Sequence, residues 1–270
     1  YTLSYTPKAN FNGTDTLTYT ASDGTNTTTG NVTVTVSAVN DAPTLATALS
    51  NQSATEDSAF SFIVPANTFS DPDGDTLTYT ATLNDGSSLP SWLSFDAGTR
   101  TFTGTPLNAN VGAITVKVAT SDGTATVSDS FVLTVANTND APVTAADTAS
   151  TNEDTAVSIN VLANDSDPDG NTLSVTAATA SNGTVAINSD YTLSYTPKAN
   201  FNGTDSITYT ASDGTSTTTG SVTVTVSAVN DAPVTAADTA STNEDTAVSI
   251  NVLANDSDPD GDTLSVTAAT

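Results

Sequence analysis

Residues Gly203 to Ser227 read GTDSITYTASDGTSTTTGSVTVTVS. Apolar side chains fall at every second position, at Ile207 and Tyr209 and again at Val222, Val224 and Val226, with Thr or Ser between them. A period of two sends alternate side chains to opposite faces of an extended chain. The stretch therefore predicts two strands, each with one buried and one wet face. Ser212-Asp213-Gly214 lies between them and is a hairpin-turn signal.

The same alternation runs through the rest of the chain. It appears at Val157, Ile159 and Val161, and at Leu173 and Val175. It appears again at Phe60, Phe62 and Val64, at Leu77, Tyr79 and Ala81, at Ile114, Val116 and Val118, and at Phe131, Leu133 and Val135. Asp-Gly, Asn-Gly and Pro punctuate these runs, and no stretch sustains a period of 3.6. A disordered chain lacks β-branched residues in strict alternation. About seven short strands per repeat predict an all-β fold of tandem immunoglobulin/cadherin-like β-sandwich domains in an extended array. Aromatic residues make up 6% of the chain, which predicts modest cores built mostly of Val, Leu and Ile.

The chain repeats itself. Tyr1 to Pro43 recurs almost unchanged as Tyr191 to Pro233, and Ala141 to Thr179 recurs as Ala232 to Thr270. Asn-Asp-Ala-Pro marks each joint, at Asn40, Asn139 and Asn230. Four segments follow: 1–40, the C-terminal half of a repeat; 41–139 and 140–230, two complete repeats; and 231–270, the N-terminal half of another. Units of this size exceed most solenoid repeats and match a sandwich domain.

The acids keep register with the repeats. The three glutamates are Glu56, Glu153 and Glu244, each followed by Asp, and Asp-Pro-Asp-Gly comes later from Asp71, Asp167 and Asp258. Each motif alone has an ordinary reading, since Asp-Pro-Asp-Gly and Ser-Asp-Gly make good turns and Glu-Asp is readily solvated. Their coincidence in every repeat, with glutamate used nowhere else, points to bound hard cations. Calcium, which takes six to eight oxygens, is the natural choice. An EF-hand loop is absent, because no Glu follows Asp-Pro-Asp-Gly at the required distance. The net charge is -26, with 30 acids against four bases. Such self-repulsion favours counter-ions and excludes a nucleic-acid partner. With no Cys, neither disulfides nor thiol chemistry operate, and no apolar run is long enough for membrane insertion. There is no His and no Ser in a nucleophile setting, and acids recurring in turns suit repeated structural sites better than one active site. Trp92 is read as core or sandwich edge, and Lys117, between Val116 and Val118, as pointing outward.

Asn-Asp-Ala-Pro, then Glu-Asp, then Asp-Pro-Asp-Gly, then Ser-Asp-Gly resembles the bacterial cadherin-like repeats of large secreted adhesins, including the RTX type. Leu89-Pro90-Ser91-Trp92-Leu93 and Phe102-Thr103-Gly104-Thr105-Pro106 are similar to the dystroglycan-type cadherin-like domain. The resemblance implies calcium at the joints. The first joint would use Asn40, Asp41, Asp71, Asp73 and Asp122. The second would use Glu56, Asp57, Asn139, Asp140, Asp167, Asp169 and Asp213. The third would use Glu153, Asp154, Asn230, Asp231, Asp258 and Asp260. Asp75 and Asp262 are weaker candidates, because repeat three has Asn171 at that position. No Asp-Arg-Glu element is found, and Asp205, with Asp15 as its equivalent, is a candidate replacement. The number of ions per joint stays open between one and three. The resemblance also implies an extracellular or cell-surface setting. Two functions remain: a calcium-stiffened extender of an adhesin, whose partners are calcium and neighbouring repeats, or a binding module for polysaccharide or for other copies of itself.

Overall fold

The computed structural model describes all residues from Tyr1 to Thr270, and they fall into two compact units, Tyr1–Thr138 and Asn139–Thr270. The chain is all-β; its one helical piece is a 3-10 turn at Asn108–Asn110. No helix is long and apolar enough to cross a membrane.

The first unit begins with a hairpin. Strands β1 (Gly13–Ser22) and β2 (Thr27–Val36) pair antiparallel from Gly13↔Val36 to Ser22↔Thr27. Repeat two follows with nine strands: β3 (Thr44–Leu45), β4 (Gln52–Thr55), β5 (Phe60–Ile63), β6 (Phe69–Ser70), β7 (Thr78–Leu83), β8 (Leu93–Asp96), β9 (Thr101–Gly104), β10 (Gly112–Ser121) and β11 (Thr126–Ala136). One sheet runs β4-β11-β10-β7 and a second runs β5-β9-β8, with β3 and β6 as a small pair.

The core between these sheets is mostly aliphatic, as expected, with an aromatic cluster that the composition did not show. Phe60, Phe69, Phe102 and Phe131 are buried with Val64, Val116, Val118 and Leu133, and Phe62, Phe95 and Tyr79 pack against them. The rings of Phe95 and Phe102 lie 4.5 Å apart, and those of Phe62 and Phe131 5.3 Å. Low overall aromatic content hid the concentration of phenylalanine in one repeat. Trp92 is half-buried against this core, and a Cβ at Gly104 would lie 2.0 Å from the Trp92 carbonyl oxygen. Only glycine permits that approach.

The second unit holds repeat three, with seven strands: β12 (Asp147–Asn152), β13 (Val157–Ile159), β14 (Ser174–Ala180), β15 (Gly183–Ile187), β16 (Leu193–Pro197), β17 (Gly203–Ser212) and β18 (Thr217–Ser227). The quoted stretch forms β17 and β18, paired antiparallel from Gly203↔Val226 to Ser212↔Thr217. Ile207, Tyr209, Val222, Val224 and Val226 are buried while Thr204, Ser206, Thr208, Thr223 and Thr225 are exposed, as a half-buried sheet requires. The sheets run β12-β18-β17-β14 and β13-β16-β15. Leu193 and Tyr195 on β16 are fully buried.

One topological feature positions the acids. In each sandwich an early strand, β4 or β12, pairs parallel with the last: Thr55 lies beside Ala136, and Asn152 beside Ser227. Both strands of each pair therefore end together. The glutamate after β4 or β12 emerges beside the linker after the last strand.

Candidate metal centre

Glu153 follows β12, and its backbone N–H donates to the Ser227 carbonyl at 2.9 Å. Its side chain turns inward and is 3% exposed. Oε1 accepts the backbone N–H of Val229, whereas Oε2 is buried with no donor. Glu56 repeats the arrangement. It is 1% exposed, its N–H donates to the Ala136 carbonyl, its Oε2 accepts the Thr138 N–H at 3.2 Å, and its Oε1 has no donor. A buried carboxylate left half-satisfied costs several kcal/mol unless something positive meets it.

The linker closes on the Asp-Pro-Asp-Gly loop in the same way at all three joints. The backbone N–H groups of Asp41, Asp140 and Asp231 donate to Oδ2 of Asp73, Asp169 and Asp260 at 2.6, 2.7 and 2.6 Å. The first Asp of each loop organises it through Oδ1. Asp71 Oδ1 accepts the N–H of Asp73 and Asp75, Asp167 Oδ1 that of Asp169 and Asn171, and Asp258 Oδ1 that of Asp260 and Asp262. Oδ2 of Asp71 and Asp167 is buried without a donor. The linker asparagines brace their own backbone: the side-chain amides of Asn40, Asn139 and Asn230 donate to the carbonyls of Asp41, Asp140 and Asp231.

The Ser-Asp-Gly aspartates serve the turn first. Asp213 Oδ1 accepts the N–H of Thr215 and Ser216, and its Oδ2 accepts from the Asn139 amide at 2.9 Å. Asp122 does the same with Thr124, Ala125 and the Asn40 amide. The Ser216 N–H, the Asn139 amide and the Thr215 N–H hold the Asp213 carboxyl below its usual range, and the equivalent three donors do so for Asp122.

Each unit assembles a group of three carboxylates from its own residues. Oxygens of Asp71, Asp73 and Asp75 lie within 4.8 Å of one another, and so do those of Glu153, Asp231 and Asp260. Asp75, ranked low from the sequence, joins the first group because the turn at Gly74, with φ of 79°, folds the loop back on itself. In the second group, Asp231 Oδ2 is a further buried oxygen without a donor. Burial, then the charges of Asp260, Asp154, Glu153 and Asp258, push the Asp231 carboxyl above its ordinary value.

Asp57 and Asp154 both adopt the left-handed conformation, with φ of 56° and 54°. Asp tolerates that region better than most residues. The second residue of Glu-Asp thus meets a backbone requirement as well; an Asp57 carboxylate oxygen lies within 4.8 Å of one on Glu56, and Asp154 Oδ1 accepts the Asn200 N–H at 3.2 Å. Asp205 does not replace the missing Asp-Arg-Glu element. It is buried on β17 and fully engaged within its own sandwich, accepting from Tyr195 Oη at 2.8 Å, from the Asn182 N–H at 2.8 Å and from the Ser206 N–H at 2.8 Å. Burial works to raise its carboxyl, but these donors outweigh it and hold it below the usual range. Asp15 is held by Tyr5 Oη at 2.9 Å in the same way.

The fit to a cation can be judged from these oxygens. Five buried carboxylate oxygens lack a donor, on Glu56, Asp71, Glu153, Asp167 and Asp231, and all five residues are candidates named from the sequence. An oxygen-only set of carboxylates, amides and backbone carbonyls suits calcium.

Among known proteins, residues 1–35, 139–226 and 230–270 match the family described as Bacterial Ig domain, and residues 42–136 match the Putative Ig domain family. No curated protein matches the chain. Among solved structures, mouse protocadherin-24 EC1-3 is similar at 17% identity with a TM-score of 0.46, covering 79% of this chain and 80% of that one. Human protocadherin-24 EC1-2 is similar at 16% identity with a TM-score of 0.39, covering 71% of this chain and all of the other. The endo-fucoidan hydrolase MfFcnA4 of glycoside hydrolase family 107 aligns at 24% identity with a TM-score of 0.36, over 83% of this chain but only 35% of its own length. The matched residues make up more than half of the sequence, and the chain belongs to the bacterial Ig domain family.

Proposed function

We propose that this chain is a calcium-stiffened spacer of a bacterial surface or secreted adhesin, with ions held at the joints between repeats. The supporting observation is Glu153, almost wholly buried, with one oxygen lacking a donor and with the Asp231 and Asp260 carboxylates within 4.8 Å. Without a cation the half-buried Asp231 and the exposed Asp260 repel the buried Glu153. Glu153, Asp231 and Asp260 would hold the ion at the third joint, and Asp71, Asp73 and Asp75 would hold one in the first unit. A bound calcium would neutralise the cluster and tie the end of one repeat to the start of the next.

Each participant is already aimed. The parallel β12–β18 pair delivers Glu153, and the Asn230 amide and Asp260 fix the backbone of Asp231. Adhesin spacers work outside the cell, where calcium is plentiful, and extracellular modules bind it at about 10⁻⁴ to 10⁻³ M. The test is a calcium titration of the wild-type chain and of Glu153→Gln, followed by calorimetry or terbium luminescence. The variant should lose one class of site and fold normally in chelator. Wild type with no calcium-dependent signal at millimolar metal would remove the reading.

A further inference from the structure

We propose that repeat two binds an acidic saccharide, a sugar ring bearing a carboxylate or a sulfate, in the cleft between Tyr79 and Arg100. The site lies within repeat two alone and is independent of the calcium reading.

Arg100 is the one arginine among four bases, in a chain of 30 acids. An arginine in such company is expected to pair with a carboxylate, and it does not. Its guanidinium carbon lies 5.7 Å from the centroid of the Tyr79 ring, and it makes no ion pair and no hydrogen bond. Asp96, the acid at the start of the same turn, uses Oδ1 to accept the backbone N–H groups of Gly98 and Thr99 at 2.8 and 3.0 Å. The Tyr79 hydroxyl also lacks a partner, whereas those of Tyr195 and Tyr209 bond carboxylates.

The backbone sets the guanidinium in place. Arg100 ends the turn between β8 and β9 with φ of 57°. That left-handed conformation suits Gly, Asn or Asp, and arginine adopts it at a steric cost. The Arg100 carbonyl accepts the N–H of the fully buried Val64 at 2.9 Å, which pins the turn to the core. Tyr79 is held from the other side, its ring meeting Phe69 edge-on with centroids 6.2 Å apart.

Repeat three shows that the fold does not require this pair. Val175 occupies the register of Tyr79, since Tyr79 pairs with Thr120 and Val175 with Ala211, each one residue before Ser-Asp-Gly. The β15–β16 turn also contains a left-handed residue, but it is Tyr191, with φ of 64°, and residues 188–192 include no base. Two differences far apart in sequence thus meet in one cleft of repeat two.

The cleft has a volume of about 450 Å³ and is lined by Leu77, Thr78, Tyr79, Ala97, Gly98 and Arg100. That volume falls within the range of small-ligand sites. Thr78, Ala97 and Gly98 are exposed, so the cleft is open and suits one unit of a polymer. The guanidinium offers free N–H donors in a planar fork that matches the oxygens of a carboxylate or a sulfate. Leu77 and the Tyr79 ring offer an apolar wall beside it. A sugar ring whose C–H face lies on that wall while its acid meets Arg100 satisfies both. An acidic peptide meets the guanidinium but brings no flat C–H face. The chain's own negative charge is screened beyond about 8 Å at physiological ionic strength, so the contact is decided locally.

The test is a calorimetric titration of the full 270-residue chain in chelator, so that calcium cannot bridge one acid to another, with the fluorescence of Trp92 reporting that repeat two is folded. Polygalacturonate and dextran sulfate are the probes, and unsubstituted dextran and polyaspartate the controls. At least one acidic saccharide should bind saturably, and the tighter of the two names the anion. Arg100→Gly, which the left-handed backbone accepts, should weaken binding by about tenfold or more while repeat two keeps its melting transition. Arg100→Lys, which keeps the charge without the fork, should fall between. Lys117→Ala removes the other base of repeat two and should bind as wild type does. The same ranking should hold in calcium. The proposal is overturned if neither acidic saccharide binds at about 1 mM sugar units, a concentration that reveals even a millimolar association. It is overturned equally if Arg100→Gly binds as wild type does, if Lys117→Ala loses as much, or if dextran or polyaspartate binds as tightly as the acidic saccharides.

Discussion

Repeats two and three carry the same joint chemistry on differently built interiors. Repeat two packs phenylalanine on phenylalanine, with Phe102 in contact with the rings of Phe62, Phe95 and Phe131. Repeat three packs Val, Leu and Ile around two fully buried tyrosines whose hydroxyls are tied to carboxylates, Tyr195 to Asp205 and Tyr209 to Asp165 and Asp147. Burial and the charge of Asp165 raise the Asp147 carboxyl, although the Tyr209 hydroxyl opposes them. The interiors diverge while Glu56 and Glu153 keep one position, one burial and one unsatisfied oxygen. The glutamates therefore do not follow the composition of the core.

Four experiments would break or sharpen this contrast. The largest effect is expected from Phe102→Ala, which empties the aromatic cluster and should destabilise repeat two by about 3–5 kcal/mol. Calorimetry should then show repeat three melting where it did before; a loss of both transitions would show that the two interiors are not independent.

Calcium removal comes next. At calcium 100 times the dissociation constant, each site adds about 2.7 kcal/mol, and chelation should take it away. Both repeats should shift. A shift confined to one would mean that the shared acids do different work in the two settings.

Tyr195→Phe probes the polar stitching. It removes a hydrogen bond to a buried carboxylate, an interaction on the order of 1.5–3 kcal/mol. Asp205 has a folded-state pKa below its unfolded value. Its stabilisation is thus present above the unfolded value and is lost as pH falls through the folded one. Losing the Tyr195 donor raises the folded value, so repeat three should unfold in acid at a higher pH than wild type, with repeat two unmoved. Circular dichroism along an acid titration in chelator reads this directly, and an unchanged midpoint would deny the tyrosine its role.

The smallest effect belongs to Asp57→Asn and Asp154→Asn. Asn tolerates the left-handed backbone as well as Asp does, so stability in chelator should change by less than about 0.5 kcal/mol. An equal loss of calcium affinity in both variants would make these residues ligands as well as turn formers. Unchanged affinity would leave the turn as their whole purpose.

Much of this is legible in the amino-acid sequence. Alternation at Ile207 and Tyr209 and at Val222, Val224 and Val226 determined both the strands and the buried face, because a period of two allows only one apolar side. Glutamate confined to one position marked Glu56 and Glu153. Strand pairing was not legible, since the same alternation suits a parallel or an antiparallel neighbour. Only the tertiary structure decided that β12 runs parallel to β18, which brings Glu153 to the Asp231 linker. The structure also separated aspartates that look alike in sequence. Asp205 is saturated by Tyr195 and Asn182, while Asp231 keeps a buried oxygen without a donor. A carboxylate's role depends on how many donors the folded chain brings to it, and those donors come from residues distant in sequence.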